Sequence, residues 1–115
     1  MITRLKDCPV QFRENMRGGD GTVKLTELLA PAELNGHGRM FSLITLEKGC
    51  SIGYHVHEGE TETFYVIEGD ALYNDNGVEV EASTGDVLHV KSGDGHAVAN
   101  RGEKTLVLLA SIVYA

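Results

Sequence analysis

Two histidines separated by one residue are the clearest sign of chemistry in this sequence. His55 and His57 lie in residues 49–69, and alternate side chains of a β-strand project from the same face. Glu62 follows a short polar loop, where the chain could reverse and bring a carboxylate opposite the histidines from a neighbouring strand. This stretch therefore predicts three metal ligands, and His96 is the best candidate for a fourth.

The spacing of these residues resembles the paired motifs of the cupin superfamily. Residues 49–69 match the first motif, a glycine followed by His-x-His, a glutamate and a closing glycine at the family's spacing. Residues 85–100 match the second motif, with Lys91 where the family usually has proline. The resemblance covers about residues 39–114, and it implies that the metal ligands are His55, His57, Glu62 and His96.

The ligand types limit the chemistry of such a site without identifying the metal. Imidazole suits zinc, iron, copper and nickel, while carboxylate also admits manganese. We expect one divalent transition metal ion, with iron, manganese, zinc and nickel all open. Four protein ligands on an ion that prefers six leave two positions for water, dioxygen or a substrate that chelates through two oxygens. A bidentate acid or enol is therefore a natural ligand.

Frequent turn signals predict an all-β protein. The sequence has about nine or ten short strand-like stretches, including residues 22–29, and no apolar helical period of sufficient length. Asn76-Gly77 predicts a type I′ hairpin turn. The pattern favours an antiparallel barrel or jelly roll, and the resemblance implies the RmlC-like cupin double-stranded β-helix. The length of 115 residues predicts one domain, with an N-terminal arm and strand in residues 1–38 and the motif barrel in residues 39–114.

Strand alternation predicts the surroundings of the metal. We expect Phe64 and Val66 to share the face of Glu62, and Val98 and Asn100 to share the face of His96. The result would be a small apolar pocket closed around one polar centre. The strand-like stretch before the first motif could add three residues to the lining of this pocket, namely Met40, Ser42 and Ile44.

The other polar and aromatic residues are expected to have structural roles. His89, between two apolar strand residues, is either a core-facing hydrogen-bonded histidine or an acid/base group near the pocket; the structural role is favoured, and it is the one weak catalytic candidate. His37, between two glycines, is expected in a solvated turn. Solvated loop positions near the barrel mouth are expected for Glu58 and Glu60, and barrel packing for Tyr54, Tyr65 and Tyr73.

Composition excludes several classes of partner. A net charge of −7 and a pI near 5.1 argue against binding to nucleic acid or to an acidic membrane surface. The longest apolar run, residues 105–114, is about half the length of a membrane-spanning helix. Cys8 and Cys50 form no recognisable disulfide or zinc motif, and the first residues do not resemble a signal peptide. We therefore expect a cytoplasmic protein.

Two functions remain open at this stage. The first, which is favoured, is a metal-dependent enzyme that acts on a small oxygenated or carboxylated molecule, because cupins include dioxygenases, decarboxylases, isomerases and lyases. The second is a non-catalytic module that binds or senses a metal and a small ligand. The resemblance also implies a homodimer that exchanges N-terminal strands, for which residues 22–29 could serve.

Overall fold

The computed structural model describes residues 1–115, and its regular structure is almost entirely β-strand. There are ten strands: β1 (Val10–Glu14), β2 (Thr22–Leu29), β3 (Gly38–Leu46), β4 (Ser51–Val56), β5 (Glu60–Glu68), β6 (Asp70–Asp75), β7 (Val78–Ser83), β8 (Val87–Val90), β9 (Gly95–Ala99) and β10 (Leu106–Tyr114). Three short 3₁₀ segments, Leu5–Asp7, Met16–Gly18 and Pro31–Leu34, lie between or before them. None of these helical segments is long and apolar enough to cross a membrane.

The strands form two antiparallel sheets that face each other. One sheet has six strands in the order β1-β2-β3-β10-β5-β8, and the other has four in the order β4-β9-β6-β7. The core lies between them, because inward-facing residues of both sheets, such as Leu108 and Ile52, belong to one buried apolar cluster. The expected all-β architecture, a barrel of two facing antiparallel sheets, is confirmed.

The chain crosses from one sheet to the other directly after the histidine strand. Strand β4 pairs with β9, whereas β5 pairs with β10 and β8. Glu62 therefore faces the histidines across the barrel, and the expectation that it returns on a neighbouring strand is wrong. His57 exchanges backbone hydrogen bonds with Gly93 and Asp94, the residues that lead into β9, so the chain cannot continue as a β4–β5 hairpin.

The predicted turn at Asn76-Gly77 is confirmed, but strand β1 was not predicted. Asn76 and Gly77 have φ of 50° and 100°, as a type I′ turn requires, and they join β6 to β7. Strand β2 spans the expected residues 22–29. Strand β1 was not predicted, because all five of its residues are exposed and its only pairing is to β2 at the edge of the sheet.

The inward alternation along the two motif strands is confirmed. Phe64 and Val66 are buried on the same side of β5 as Glu62, and Val98 on the same side of β9 as His96. The Asn100 side chain, just after β9, is fully buried. The two sheets thus present a small group of polar residues to an otherwise apolar interior.

Candidate metal centre

Four potential metal ligands converge inside the barrel. His55 lies on β4 directly opposite His96 on β9, and His57 follows two residues later on the same face. Glu62 approaches from the facing sheet on β5. One ligand atom of each residue lies within 4.8 Å of those of the other three. The structure therefore brings together the complete set that the sequence had singled out.

The closest approaches are between the potential ligand atoms themselves. Glu62 Oε1 lies 3.1 Å from His57 Nε2 and 3.0 Å from His96 Nε2, and these two nitrogens are 3.1 Å apart. The three imidazole rings are mutually edge-on, with centroids 4.8 to 4.9 Å apart. Such an arrangement directs several lone pairs toward one point.

Each imidazole is held at its other nitrogen. The Nδ1 atoms contact the Gly53 carbonyl oxygen at 2.8 Å for His55, Glu60 Oε2 at 3.0 Å for His57 and the Tyr73 hydroxyl at 2.9 Å for His96. A carbonyl oxygen only accepts hydrogen bonds, so Nδ1 of His55 must carry the proton. Its Nε2 then has a lone pair that is free to bind a metal. Partners of this kind orient metal-bound histidines and set their tautomer.

The donor set fits a divalent cation. Three imidazole nitrogens and one carboxylate oxygen repel one another unless protons or a cation lie between them. Nitrogen and carboxylate ligands at a shared centre are typical of transition-metal sites in proteins. The four residues therefore fit the divalent metal ion that the motif resemblance implies.

The charge state of the site favours a cation. Burial of Glu62 opposes its ionisation, but hydrogen bonds from His57 and His96 outweigh this effect and lower the pKa of Glu62. The hydrogen bond from Glu62 raises the pKa of His57 against the effect of burial, and Glu60 adds to the rise. Burial lowers the pKa of His55, and the charge of Arg17 contributes slightly in the same direction. The carboxylate thus remains charged within the barrel.

Glu60 links the histidine cluster to an arginine. Its carboxylate accepts hydrogen bonds from Arg39 Nε at 2.9 Å and Arg39 Nη2 at 2.8 Å, while it also holds Nδ1 of His57. The hydrogen bond from Arg39 is the largest cause that lowers the pKa of Glu60. The Glu60 side chain is only 15% exposed, so the expectation of a solvated loop position is wrong; Glu58 is exposed, as expected.

Three of the four potential ligands, His55, His57 and Glu62, line a cavity of about 70 Å³, here called the metal cavity. Its apolar lining includes Met40, Ile44 and Phe64, as the alternation of β3 and β5 predicted. Three arginines also line it, namely Arg13, Arg17 and Arg39. The expectation of an apolar pocket is therefore incomplete, and the predicted lining residue Ser42 lies in a neighbouring groove of about 420 Å³ over β1, β2 and β3.

The remaining candidates lie away from this centre. His89 is exposed on β8, where its Nδ1 contacts the Thr63 hydroxyl at 2.9 Å, so it neither faces the core nor contacts the metal cavity. His37 is exposed in a bend, as expected. Tyr54 and Tyr65 are about half exposed, whereas Tyr73 is buried against His96. The support that Tyr73 gives to His96 was not predicted, since the sequence indicated only barrel packing for this tyrosine.

Several known proteins resemble this chain. It is 36% identical over 113 residues to the oxalate-binding protein of Thermotoga maritima, and the aligned region covers 98% of this chain and 93% of that protein. It is 33% identical over 100 residues to the quercetin 2,3-dioxygenase of Bacillus subtilis, and the aligned region covers 84% of this chain but only 29% of the dioxygenase.

Solved structures share the same fold. A crystal structure from Thermotoga maritima, described as a "predicted oxalate decarboxylase", superposes with a TM-score of 0.96 at 36% identity over 100% of both chains. The cupin domain of Schizosaccharomyces pombe Cnp3 superposes with a TM-score of 0.74 at 12% identity, over 92% of this chain and 69% of that one, and shows the fold alone. The family described as "Cupin domain" matches residues 42–112. The chain therefore belongs to the cupin family.

Proposed function

We propose that this protein binds one divalent transition metal ion and, beside it, a small carboxylated molecule that chelates through two oxygens. The metal ligands would be His55, His57, Glu62 and His96. The observation that carries the proposal is the convergence of these four ligand atoms, within 4.8 Å of one another, beside a cavity that three of them line together with three arginines.

The charges favour an anionic ligand. Three neutral imidazoles and one carboxylate leave a divalent ion with a net charge near +1, to which the arginines at the cavity add. When bound, the ion would supply a Lewis acid for carboxylate oxygens. The chain's own groups, Gly53, Glu60 and Tyr73, would hold the ligating rings in place, and the apolar wall would limit the entry of water.

The size of the cavity favours a small acid. A volume of about 70 Å³ is comparable to a molecule of a few heavy atoms and much smaller than a drug-sized ligand site. The Thermotoga maritima relative is named as an oxalate-binding protein, and oxalate is a compact chelator of this size. Oxalate is therefore the first ligand to test.

Turnover of the bound acid is the second candidate function. Two open positions on a six-coordinate ion would admit both a substrate and water or dioxygen, which supports a metal-dependent oxidoreductase, isomerase or lyase. Against this, the cavity lining offers no carboxyl, thiol or hydroxyl group beyond the ligand Glu62 to move a proton. Binding is the function that the geometry supports best, and iron, manganese, zinc and nickel all remain open for the metal.

The experiment is a metal analysis of the purified wild type, His57→Ala and His89→Ala, followed by titration with oxalate. We expect near-stoichiometric metal in the wild type and in His89→Ala. His57→Ala should be depleted of metal, because His57 belongs to the cluster and His89 does not. Oxalate should bind to the metal-loaded protein, and release of formate or carbon dioxide would identify turnover. Absence of metal from the wild type even after reconstitution would contradict the proposal.

We also propose that the protein acts in the cytoplasm as a homodimer. Both cysteines are free, which is compatible with a reducing compartment. Exposed apolar residues on the outer face of the six-stranded sheet, such as Tyr65 and Val87, support association with a second copy.

A further inference from the structure

We propose that the metal cavity selects ligands with two negative charges, and that Arg13 and Arg17 are the residues that make the selection. This inference rests on the proposed function, because it concerns which acid is held beside the metal. It goes further in assigning specificity to the N-terminal segment, which lies outside both sequence motifs.

The distribution of arginines carries the first step. The protein has a net charge of −7 and five arginines, yet three of those arginines line one cavity of about 70 Å³. The lining contains one carboxylate, that of Glu62, so positive side chains outnumber negative ones there. Their concentration at a single opening indicates a binding site for an anion.

Only two of the three arginines are available to a ligand. The guanidinium of Arg39 is engaged by both oxygens of Glu60. Neither Arg13 nor Arg17 forms a salt bridge, and the one side-chain hydrogen bond of Arg13 goes to the amide oxygen of Gln11. Both side chains are exposed, and most of their N–H groups have no partner and are available to a carboxylate.

The backbone at Arg17 is held in an unfavourable conformation. Arg17 has φ 54° and ψ 30°, in the left-handed region that residues with a Cβ atom rarely adopt. Gly18 follows with φ 79°, so the chain places an arginine inside a turn where glycine would be relaxed. Strain of this kind at a cavity that already carries metal ligands points to a functional side chain.

Close backbone contacts fix this turn against the histidine strand. A Cβ atom on Gly53 would overlap the carbonyl oxygen of Arg17, and one on Gly19 would overlap the carbonyl oxygen of Ser51. The Asp20 backbone N–H also donates to Ser51 Oγ at 2.8 Å. Because the Gly53 carbonyl holds His55, the turn that carries Arg17 and the ring of a metal ligand share one support.

The chemistry of the ligand follows from the charges. A divalent ion with the single carboxylate of Glu62 has a net charge near +1, which one monoanion neutralises. A second negative charge needs further positive groups, and Arg13 and Arg17 provide them at the rim. Oxalate and glycolate each chelate through two oxygens and are similar in size, but only oxalate is a dianion. The pair therefore separates charge selection from chelation.

The test is calorimetric titration of oxalate and glycolate into the full chain loaded with the divalent ion that it retains. The variants are Arg13→Gln and Arg17→Gln, with Arg101→Gln as the control, since Arg101 is exposed and does not line the metal cavity. Loss of a charge-assisted hydrogen bond should weaken oxalate binding about tenfold or more. Glycolate binding should change by less than about threefold, and Arg101→Gln should match the wild type.

Each result has a defined meaning. Oxalate binding by the wild type with an unchanged oxalate-to-glycolate ratio in both cavity variants would overturn the selection while leaving the proposed function intact. An equal loss for both acids would also overturn it, because the arginines would then act only as a general positive field. Failure of the metal-loaded wild type to bind either acid would overturn both proposals.

A second measurement concerns the strained turn and needs no ligand. Arg17→Gly and Arg17→Gln remove the same charge, but only glycine relaxes the left-handed conformation. We expect Arg17→Gly to unfold at a higher temperature than Arg17→Gln, with the same loss of oxalate binding. A lower unfolding temperature for Arg17→Gly would show that the left-handed conformation of residue 17 is not strained, and would overturn the argument that strain marks a functional side chain there.

Discussion

At the scale of single residues, Glu60 is the group that connects the histidine cluster to the rest of the barrel. Its Oε2 atom lies 3.0 Å from His57 Nδ1 and 2.8 Å from Arg39 Nη2. The carboxylate fixes the His57 tautomer so that Nε2 points toward the other ligands. The bond from Arg39 lowers the pKa of Glu60 and keeps this support ionised.

Glu60→Gln should weaken metal binding about 10- to 100-fold, because the outer partner of a ligating histidine becomes a neutral amide. The dissociation constant is measured by competition with a chelator of known affinity. Glu58→Gln is the matched control, since Glu58 is a nearby exposed carboxylate. A Glu60→Gln affinity within twofold of the control would show that Glu60 does not support a metal ligand.

The cluster of four potential ligands could be predicted from the sequence because motif spacing and strand alternation are local properties. His55 and His57 share a face by the period of a strand, and the motif adds Glu62 and His96 at set distances along the chain. The supporting contacts were not predictable in this way. Tyr73 reaches His96 across a strand pair, and Arg17 enters the cavity from the N-terminal segment, so neither contact has a signature in spacing.

At the scale of the elements, Asn100 joins the strand that carries His96 to its neighbours. Its Nδ2 atom donates to the Leu46 carbonyl at 2.9 Å and to the Lys104 carbonyl at 2.8 Å, and its Oδ1 accepts from the Gly102 N–H at 3.0 Å. The side chain thus links the end of β3 to the loop between β9 and β10. This motif residue has a structural role and lies away from the metal cavity lining.

Asn100→Ala should lower the free energy of unfolding by about 3 kcal/mol, because it leaves buried backbone groups without partners. Urea denaturation measures the change. Asn74→Ala is the control, since Asn74 makes one side-chain hydrogen bond, to the Gly77 N–H in an exposed turn, and should cost less than about 1 kcal/mol. A similar small cost at Asn100 would mean that water replaces its contacts and that it does not join the strands.

Element positions were easier to predict than their pairing. Turn residues delimit strands locally, so β2 and the β6–β7 hairpin were found from glycine and asparagine alone. Pairing depends on contacts far apart in sequence, which explains the error that placed Glu62 beside the histidine strand. Strand β1 has no buried face, so its residues carry no hydrophobic alternation to detect.

At the scale of the whole molecule, an apolar row crosses the outer face of the six-stranded sheet. Cross-strand pairs place five apolar residues and one threonine in line: Val10, Thr26, Leu43, Leu109, Tyr65 and Val87. Val10, Tyr65 and Val87 are 47%, 44% and 64% exposed. Thr26 is buried, so the exposed apolar part of the row is Tyr65 and Val87 on the adjacent strands β5 and β8, with Val10 at the far edge. Exposed apolar residues on a sheet face are a candidate interface, which can pair with its own copy about a two-fold axis.

The row predicts that Tyr65→Glu separates a wild-type dimer into monomers, because the partner copy would bury two like charges near the axis. Sedimentation equilibrium at micromolar concentration should give about twice the 12.4 kDa chain mass for the wild type and for the control Val78→Glu, whose exposed residue lies on the other sheet. A monomeric wild type would contradict the homodimer.

The same variants test how the copies associate. In this structure β1 pairs with its own β2, so the Arg13 that lines the metal cavity belongs to the same chain as the four potential ligands. The interface would cover the outer face of the sheet, whereas the cavity lies inside the barrel. Monomeric Tyr65→Glu should therefore bind oxalate as tightly as the wild type. If N-terminal strands are instead exchanged between copies, Arg13 and Arg17 would come from the partner, and the monomer would lose its preference for oxalate over glycolate.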